Sequence, residues 1–213
     1  MEKLVYVDNS ATTRLDENVL NEMLPFLKEN YGNASSSYSI GIKSKEAVEE
    51  SRKKVAKSIN ANEREIYFTS GGSEADNMII KGIAKANSYR GKHIITSSIE
   101  HLAVLNSYCC LRREGFEVTY LDVDSNGMIS LEELENSIRK DTILVSIMFA
   151  NNEIGTIEPI EKIAKICKRY NVYFHTDAVQ AIGNVNIDVK ELGVDALAMS
   201  SHKFHGPKGV GAA

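Results

Sequence analysis

From residue 65 onward, short apolar runs rich in β-branched residues alternate with longer segments whose apolar residues recur at helical spacing. The apolar runs include EIYFTS, HIITSSI, EVTYLDV, TILVSIMFA and VYFHTDA, and the helical segments include LAVLNSYCCLRREG and IEKIAKICKRY. Strands that are joined by helical crossovers of this length form a parallel sheet. The run TILVSIMFA is apolar throughout, as is typical of a strand buried on both faces. The pattern therefore predicts an α/β fold, a mostly parallel sheet with helices on both faces.

The first sixty residues follow a different pattern. They contain a short apolar run at 4–7 that predicts a strand, a helix from about Asp16, a polar loop from Gly32 to Gly41 and a charged helix over 44–59. We interpret residues 1–60 as an N-terminal arm with helices, and residues 61–213 as one large domain. No internal repeat or low-complexity linker marks a sharper boundary between them.

Composition narrows the choice of partners. The chain of 213 residues has a formal net charge of -4, so it offers no basic face for a phosphate backbone, and we expect no nucleic-acid partner. Its N-terminal sequence lacks the basic start and apolar core of a secretory signal, and no run approaches a membrane span. We therefore expect a cytoplasmic protein without a membrane partner.

The chain has three cysteines, Cys109, Cys110 and Cys167, whose spacing is not that of metal ligands. In a cytoplasmic protein we interpret them as buried, reduced thiols.

The segment Asp122–Glu133, DVDSNGMISLEE, satisfies the residue pattern of a calcium-binding EF-hand loop. Such a loop requires a helix on each side, but the preceding run EVTYLDV predicts a strand. We therefore favour a turn at 125–127 that leads into a helix capped by Ser130, with Glu133 three residues later. No metal site is expected.

Two glycines follow a predicted strand in FTSGGSEADNMII, residues 68–80. A strand ending at Ser70 and a helix opening at Ser73 and Glu74 would leave several backbone N–H groups free, which is the geometry of a phosphate site. An ordinary strand-to-helix turn with Ser73 as N-cap fits the same residues equally well.

Two further groups follow predicted strands. Asp177 ends the run VYFHTD, where a carboxylate could pair with a protonated ring nitrogen of a cofactor, although an N-cap role explains it as well. Lys203 follows the run ALAMS, and a partly desolvated lysine there could attack a carbonyl as a neutral amine. Lys208 is the competing lysine, but we expect it to face water.

Residues 209–213 should enter another strand, at an unpaired edge of the sheet.

Several segments together resemble the cysteine desulfurases of the class V aminotransferase family. They occur from Asp8 to Gly211 in the family's order: DNSATT, GNASSSYSIG, FTSGGSEADN, EHLAVL, NNEIGTIEPI, HTDAVQAIG and SSHKFHGPKGVG. The resemblance implies an aspartate-aminotransferase-like fold (fold type I), a homodimer, and pyridoxal 5'-phosphate bound by residues 61–213. It further implies that the C-terminal small domain and the last part of the large domain lie outside this chain.

The resemblance also implies a role for each matching residue. Lys203 would form the Schiff base, and Asp177 would bind the pyridine nitrogen. The phenolic oxygen would be bound by Gln180, while His101 would stack on the ring and move protons. Asn152 would lie beside the ring near the substrate. The phosphate would be held by Gly72, Ser73, Ser200 and His202.

The activity implied is the removal of sulfur from L-cysteine, which leaves L-alanine and a persulfide on a protein cysteine. The sulfur would pass to an acceptor or iron–sulfur scaffold protein, or into tRNA thiolation. The persulfide cysteine and the arginine that binds the substrate carboxylate would lie beyond Ala213. Two alternatives stay open: another class V enzyme, such as a selenocysteine lyase or an aminotransferase, and a non-catalytic truncated paralogue that serves as a binding partner.

Overall fold

A seven-stranded sheet forms the centre of the protein in this computed structural model, which describes residues 5–213. The strands are β1 (Phe68–Thr69), β2 (His93–Ser97), β3 (Glu117–Leu121), β4 (Thr142–Ser146), β5 (Tyr173–Asp177), β6 (Ala196–Ser200) and β7 (Gly211–Ala212). Their order across the sheet is β1-β7-β6-β5-β4-β2-β3. All pairings among β2 to β6 are parallel, and β7 runs antiparallel to both β1 and β6. The predicted α/β fold with a mostly parallel sheet is confirmed.

Helices cover both faces of this sheet. They are α1 (Glu17–Lys28), α2 (Ser39–Ser58), α3 (Gly72–Ala86), α4 (Leu102–Arg113), α5 (Leu131–Ser137), α6 (Ile160–Arg169) and α7 (Val189–Leu192). In strand β6, successive side chains point to opposite faces of the sheet and pack against different helices. Ala198 packs against Ala75 and Ile79 of α3, whereas Leu197 and Met199 belong to the larger core on the opposite face, with buried residues of α6.

The register of the parallel strands aligns their carboxyl ends. Thr96 of β2 lies opposite Ser146 of β4, and Ser146 lies opposite His175 of β5. Asp177, two residues further along β5, lies opposite Ala198 of β6. The segments that follow β2, β4, β5 and β6 therefore leave the sheet at one edge.

The N-terminal segment differs from its sequence-based prediction. Residues 5–7 form no strand in the structure, and Leu4 lies outside the described residues. Helix α2 begins at Ser39, inside the predicted polar loop, because Gly41 lets that loop pack against the helix. A Cβ at Gly41 would lie 2.5 Å from the carbonyl oxygen of Ser36. The division into residues 1–60 and 61–213 stays a prediction.

The cysteine prediction is correct for only one of the three thiols. Cys167 is buried, but Cys109 and Cys110 are exposed. Helix α4 turns the residues at 103, 104, 107, 108 and 111 into the core, which is one stripe at helical spacing. Cys109 and Cys110 fall outside that stripe and face away from the sheet.

The segment that resembles an EF-hand loop is a turn followed by a helix, as predicted. The carboxylate of Asp124 accepts the N–H groups of Asn126 and Met128, and the Ser130 hydroxyl accepts the N–H of Glu133 at the start of α5. Among residues 5–213, no three metal-binding side chains are grouped closely enough to hold an ion. In the same part of the chain, no helix is long and apolar enough to cross a membrane.

Residues 209–213 do enter a strand, but the expectation of an unpaired edge is wrong. Strand β7 lies between β1 and β6 and pairs with both. This insertion requires a glycine at 211, since a Cβ there would lie 2.6 Å from the carbonyl carbon of Gly71 and 2.7 Å from the carbonyl oxygen of Met199.

We predict that Gly211→Ala lowers the free energy of unfolding by about 1–3 kcal/mol, because backbone atoms must move to admit the new methyl group. The control is Gly82→Ala on the exposed side of α3, where an added Cβ meets nothing within 4 Å. That change should raise the free energy of unfolding by about 0.5–1 kcal/mol, since alanine favours a helix interior. Urea denaturation of both variants measures the two shifts; equal effects would contradict the packing of β7 against Gly71.

Candidate active site at the carboxyl edge of the sheet

A cleft of about 260 Å³ lies at the carboxyl edge of the parallel strands. Its lining includes all nine residues to which the sequence resemblance assigns a role: Gly72, Ser73, His101, Asn152, Asp177, Gln180, Ser200, His202 and Lys203. A larger groove of about 860 Å³ is lined mainly by apolar residues of α3, β6 and α7 and contains none of the nine. The smaller cleft is therefore the candidate site, because polar and titratable groups converge there.

One wall of the cleft is the N-terminus of α3. The helix begins at Gly72 with Gly71 as its N-cap, so the alternative interpretation with Ser73 as N-cap is wrong by two residues. The N–H groups of the first turn have no acceptor within the helix, and the helix dipole is positive at this end. A Cβ at Gly72 would lie 2.6 Å from Cγ2 of Val179, so glycine is what lets α3 approach the segment after β5. Together these features form a cradle that suits a phosphate group.

Asp177 lies at the end of β5 and is only 6% exposed. Its Oδ1 accepts the N–H of Val179 at 2.9 Å, which stabilises the turn that follows the strand. Within residues 5–213, its Oδ2 receives no hydrogen bond and is free to accept one from a ligand. Burial, together with the nearby carboxyl of Asp76, raises the pKa of Asp177 to about 7. A cationic N–H group placed at Oδ2 would reverse this effect and favour the carboxylate.

Lys203 ends a short 3₁₀ turn, Ser201–Lys203, that follows β6. Its ammonium group donates hydrogen bonds to the backbone carbonyls of Ser10 and Ala11. Burial lowers the pKa of Lys203, and the carboxylates of Asp177 and Asp8 oppose that shift. Lys208 is exposed, as predicted, and does not line the cleft.

His101 is the N-cap of α4. Its Nδ1 accepts the N–H of Ala103 at 3.1 Å, so in the neutral ring the proton is on Nε2. The residue is exposed and reaches the cleft from the segment after β2. This geometry leaves Nε2 available for hydrogen bonding or proton transfer.

Three other polar side chains of the cleft, those of Gln180, Asn152 and His202, have protein partners. The amide of Gln180 donates to the carbonyl of Ser10 at 3.0 Å, and the amide of Asn152 donates to the Glu153 carboxylate at 2.9 Å. His202 pairs through Nδ1 with the hydroxyl of Thr12 at 3.0 Å. Burial lowers the pKa of His202, and the charge of Lys203 lowers it further.

Sequence reasoning missed a layer of buried polar groups next to these residues. Asp76 on α3 lines the cleft, is 1% exposed, and places Oδ1 3.5 Å from Nε2 of His175. Burial raises the pKa of Asp76 to about 7 and lowers that of His175 to about 4, so the ring is neutral at pH 7. Both positions carried a signal in the sequence. Asp76 is one helical turn after Gly72, and His175 is two residues before Asp177 on the same strand face.

Glu100 is a second acid of this layer. It accepts hydrogen bonds from the hydroxyl of Ser97 at 2.6 Å and the N–H of Met148 at 2.8 Å. Burial raises its pKa to about 8. Glu100 thereby holds together the segments that follow β2 and β4, and it precedes His101 in the chain.

A family model described as aminotransferase class-V matches residues 5–213. The cysteine desulfurase IscS of Clostridium botulinum strain Hall is 61% identical over 212 residues, which cover 100% of this chain and 53% of that protein. The cysteine desulfurase IscS of Methanosarcina thermophila is 62% identical over 210 residues, which cover 99% of this chain and 52% of that protein. The chain thus spans about half the length of these curated relatives.

Solved structures show the same architecture. One described as a NifS-like protein superposes with a TM-score of 0.96 at 48% identity, over 99% of this chain and 58% of that chain. Another, described as SspA in complex with cysteine, gives a TM-score of 0.95 at 40% identity, over 98% of this chain and 60% of that chain. Because the family model matches residues 5–213 and these folds coincide, the chain belongs to the aminotransferase class-V family.

Proposed function

We propose that this chain forms the pyridoxal 5'-phosphate-binding part of a cysteine desulfurase. The observation that supports the proposal most directly is the convergence of Lys203, Asp177 and the N-terminus of α3 on one cleft of about 260 Å³. The relatives named cysteine desulfurase at 61% and 62% identity support the choice of reaction.

The residues of the cleft fit this cofactor. Gly72 and Ser73 offer backbone N–H groups for the phosphate, with Ser200 and His202 beside them. Oδ2 of Asp177 can accept a hydrogen bond from a protonated ring nitrogen, and Lys203 can bind the aldehyde covalently. The bound cofactor supplies an electron-withdrawing ring that labilises the bonds at the substrate's Cα.

The chain's own residues would then hold and move protons. Lys203 can accept a proton when its amine is neutral, and burial favours the neutral form. The Nε2 of His101 is free for a second proton transfer. Asp177 would keep a positive charge on the ring nitrogen, since each charge stabilises the other in a buried site.

We propose L-cysteine as the substrate, with L-alanine and a protein persulfide as products. The solved relative described as a complex with cysteine supports a cysteine-sized ligand in this family. A protein thiolate would attack the substrate's sulfur, so that the carbon–sulfur bond breaks and a sulfur–sulfur bond forms. We assign this role to none of Cys109, Cys110 and Cys167, and propose that the attacking cysteine and the carboxylate-binding arginine belong to residues beyond Ala213.

The partners proposed with this activity are a second copy of the chain and a protein that accepts the sulfur, such as an iron–sulfur scaffold. The relatives are named cysteine desulfurases, which supports the release of sulfur from cysteine, and the sulfur needs an acceptor. The cytoplasmic location stays a prediction.

We expect Lys203 to be the residue that binds the cofactor covalently. Incubation with pyridoxal 5'-phosphate should produce a visible absorption band, and borohydride should then fix the cofactor's mass on the peptide that contains Lys203. The variant Lys203→Ala should lose both signals.

Lys208→Ala is the matched control, because Lys208 lies five residues away and is exposed. It should label as the unchanged protein does. Equal labelling of Lys203→Ala, or loss of labelling in Lys208→Ala alone, would refute the assignment.

The pH dependence of labelling should report the environment of Lys203. Only the neutral amine attacks the aldehyde, so the rate should fall as the pH drops through the pKa of Lys203, and burial places that pKa below the usual lysine range. Asp177 is ionised above about pH 7 and raises the pKa of Lys203. Asp177→Asn should therefore shift the midpoint of the rate profile further to lower pH. A shift to higher pH would contradict the proposed electrostatic contact.

The reaction itself is tested by incubating the full-length protein with cofactor, L-cysteine and a keto acid that could accept an amino group. We expect alanine and, after addition of a reductant, sulfide in equal amounts. Transfer of the amino group to a keto acid without sulfide would instead identify an aminotransferase. Cofactor-free, well-folded protein that forms no absorption band would identify a non-catalytic relative.

A further inference from the structure

The turn that carries Lys203 is held by Thr13, the last residue of the segment DNSATT, to which the sequence analysis gave no role. Thr13 is 7% exposed and contacts the turn 202–205 through both its backbone and its side chain. Its N–H and its hydroxyl donate to the carbonyl of His202, at 2.8 and 2.9 Å. The same hydroxyl oxygen accepts the N–H of His205 at 2.7 Å. One side chain therefore bonds the backbone on both sides of Lys203.

The turn needs such an external partner. His205 adopts a φ of +66°, a left-handed conformation that is unfavourable for a residue with a side chain. Gly206 follows, and a Cβ there would lie 2.7 Å from Cβ of Ser201. The N–H of His205 has its acceptor in the hydroxyl of Thr13, so the left-handed residue is held by a hydrogen bond from outside the turn.

The residues before Thr13 contact the side chains of the same turn. The hydroxyl of Thr12 pairs with His202, and the carbonyls of Ser10 and Ala11 accept from the ammonium of Lys203. Residues 10–13, which we name the arm segment, therefore contact two residues that bind the cofactor in the proposed function, His202 and Lys203. Thr13 is the member of this segment that is buried, and it fixes the segment to the turn.

We propose that Thr13 is a positioning residue for Lys203. Its hydroxyl holds the turn 202–205 against the arm segment and thereby places Nζ of Lys203 at the cleft. When Nζ is not bound covalently, it donates hydrogen bonds to the carbonyls of Ser10 and Ala11. The effect of Thr13 on cofactor attachment rests on the proposed function. The hydrogen bonds by which Thr13 holds the turn 202–205 do not depend on it.

The test compares Thr13→Val and Thr13→Ser with the unchanged chain. Valine keeps the volume of threonine but has no hydroxyl, and serine restores the hydroxyl. In the cofactor-free protein, hydrogen exchange of the His205 amide, followed by NMR, should be at least about tenfold faster in Thr13→Val. Covalent attachment of pyridoxal 5'-phosphate should be slowed about tenfold in the same variant, because Nζ is held in the attack geometry less often. Thr13→Ser should restore both rates.

Thr142→Val is the matched control. Thr142 is 5% exposed, and its hydroxyl contacts Nδ1 of His93 and the N–H of Arg139, both at 2.7 Å. It lies at the amino end of β4, the opposite edge of the sheet from the cleft, so its loss should leave both rates unchanged. If Thr13→Val does not fold, Thr13→Cys, whose thiol is a weak hydrogen-bonding group, replaces it and should slow attachment in the same direction.

The outcomes separate this inference from the proposed function. If the unchanged chain binds no cofactor at Lys203, the proposed function fails, while exchange at His205 still tests the hold on the turn. If the chain binds cofactor and Thr13→Val matches it in both rates, Thr13 is not a positioning residue. Equal slowing in Thr142→Val would also overturn the inference, because it would make the effect one of general stability.

Discussion

The parallel register of β2, β4, β5 and β6 is the constraint on which the candidate site depends. Each strand of a parallel sheet leaves at the same edge, and here the register brings Asp177, the segment before His101 and the turn of Lys203 to one cleft. A slip of one residue in β5 would turn Asp177 to the opposite face and place Thr176 in its position. The core on both faces, with Phe174 on one side and Ala198 on the other, prevents that slip.

Desolvation controls the charge of the cleft. The carboxyls of Asp76, Glu100 and Asp177 are all buried, and burial raises the pKa of each to between about 7 and about 8. Ionisation of all three buried acids is unfavourable, because their negative charges repel one another strongly in a medium of low dielectric. Asp76 and Asp177 both line the cleft, and each has a carboxylate oxygen that receives no hydrogen bond within residues 5–213. Asp177 is the one of the two that ends a strand of the sheet. A cation at Oδ2 of Asp177 would concentrate the negative charge there and leave the other two acids neutral.

The elements visible in the sequence were those set by local pattern. Period-two and helical spacing predicted β6 at its observed bounds and the turn before α5, and the strand ends pointed to Asp177 and Lys203. The start of α3 was predicted at Ser73 instead of Gly72, because the glycine N-cap at Gly71 has no side chain to mark it. Cys109 and Cys110 were placed in the core because composition does not reveal which side of α4 is buried.

Contacts distant in the chain escaped prediction altogether. The hydrogen bonds of Thr13 with His202 and His205 join residues almost 200 positions apart, and the residue pattern of neither segment predicts them. Strand β7 was expected at an edge for the same reason, since its insertion between β1 and β6 depends on the backbone contact of Gly211 with Gly71. Sequence pattern predicts which groups reach the edge of the sheet, and long-range packing decides how they are held there.

A crystal structure of the protein grown with pyridoxal 5'-phosphate tests the central claim most directly. The account predicts continuous electron density from Nζ of Lys203 to the cofactor, the phosphate at the N–H groups of Gly72 and Ser73, and the ring nitrogen within hydrogen-bonding distance of Asp177. A cofactor attached to Lys208, or a phosphate bound away from the N-terminus of α3, would contradict it.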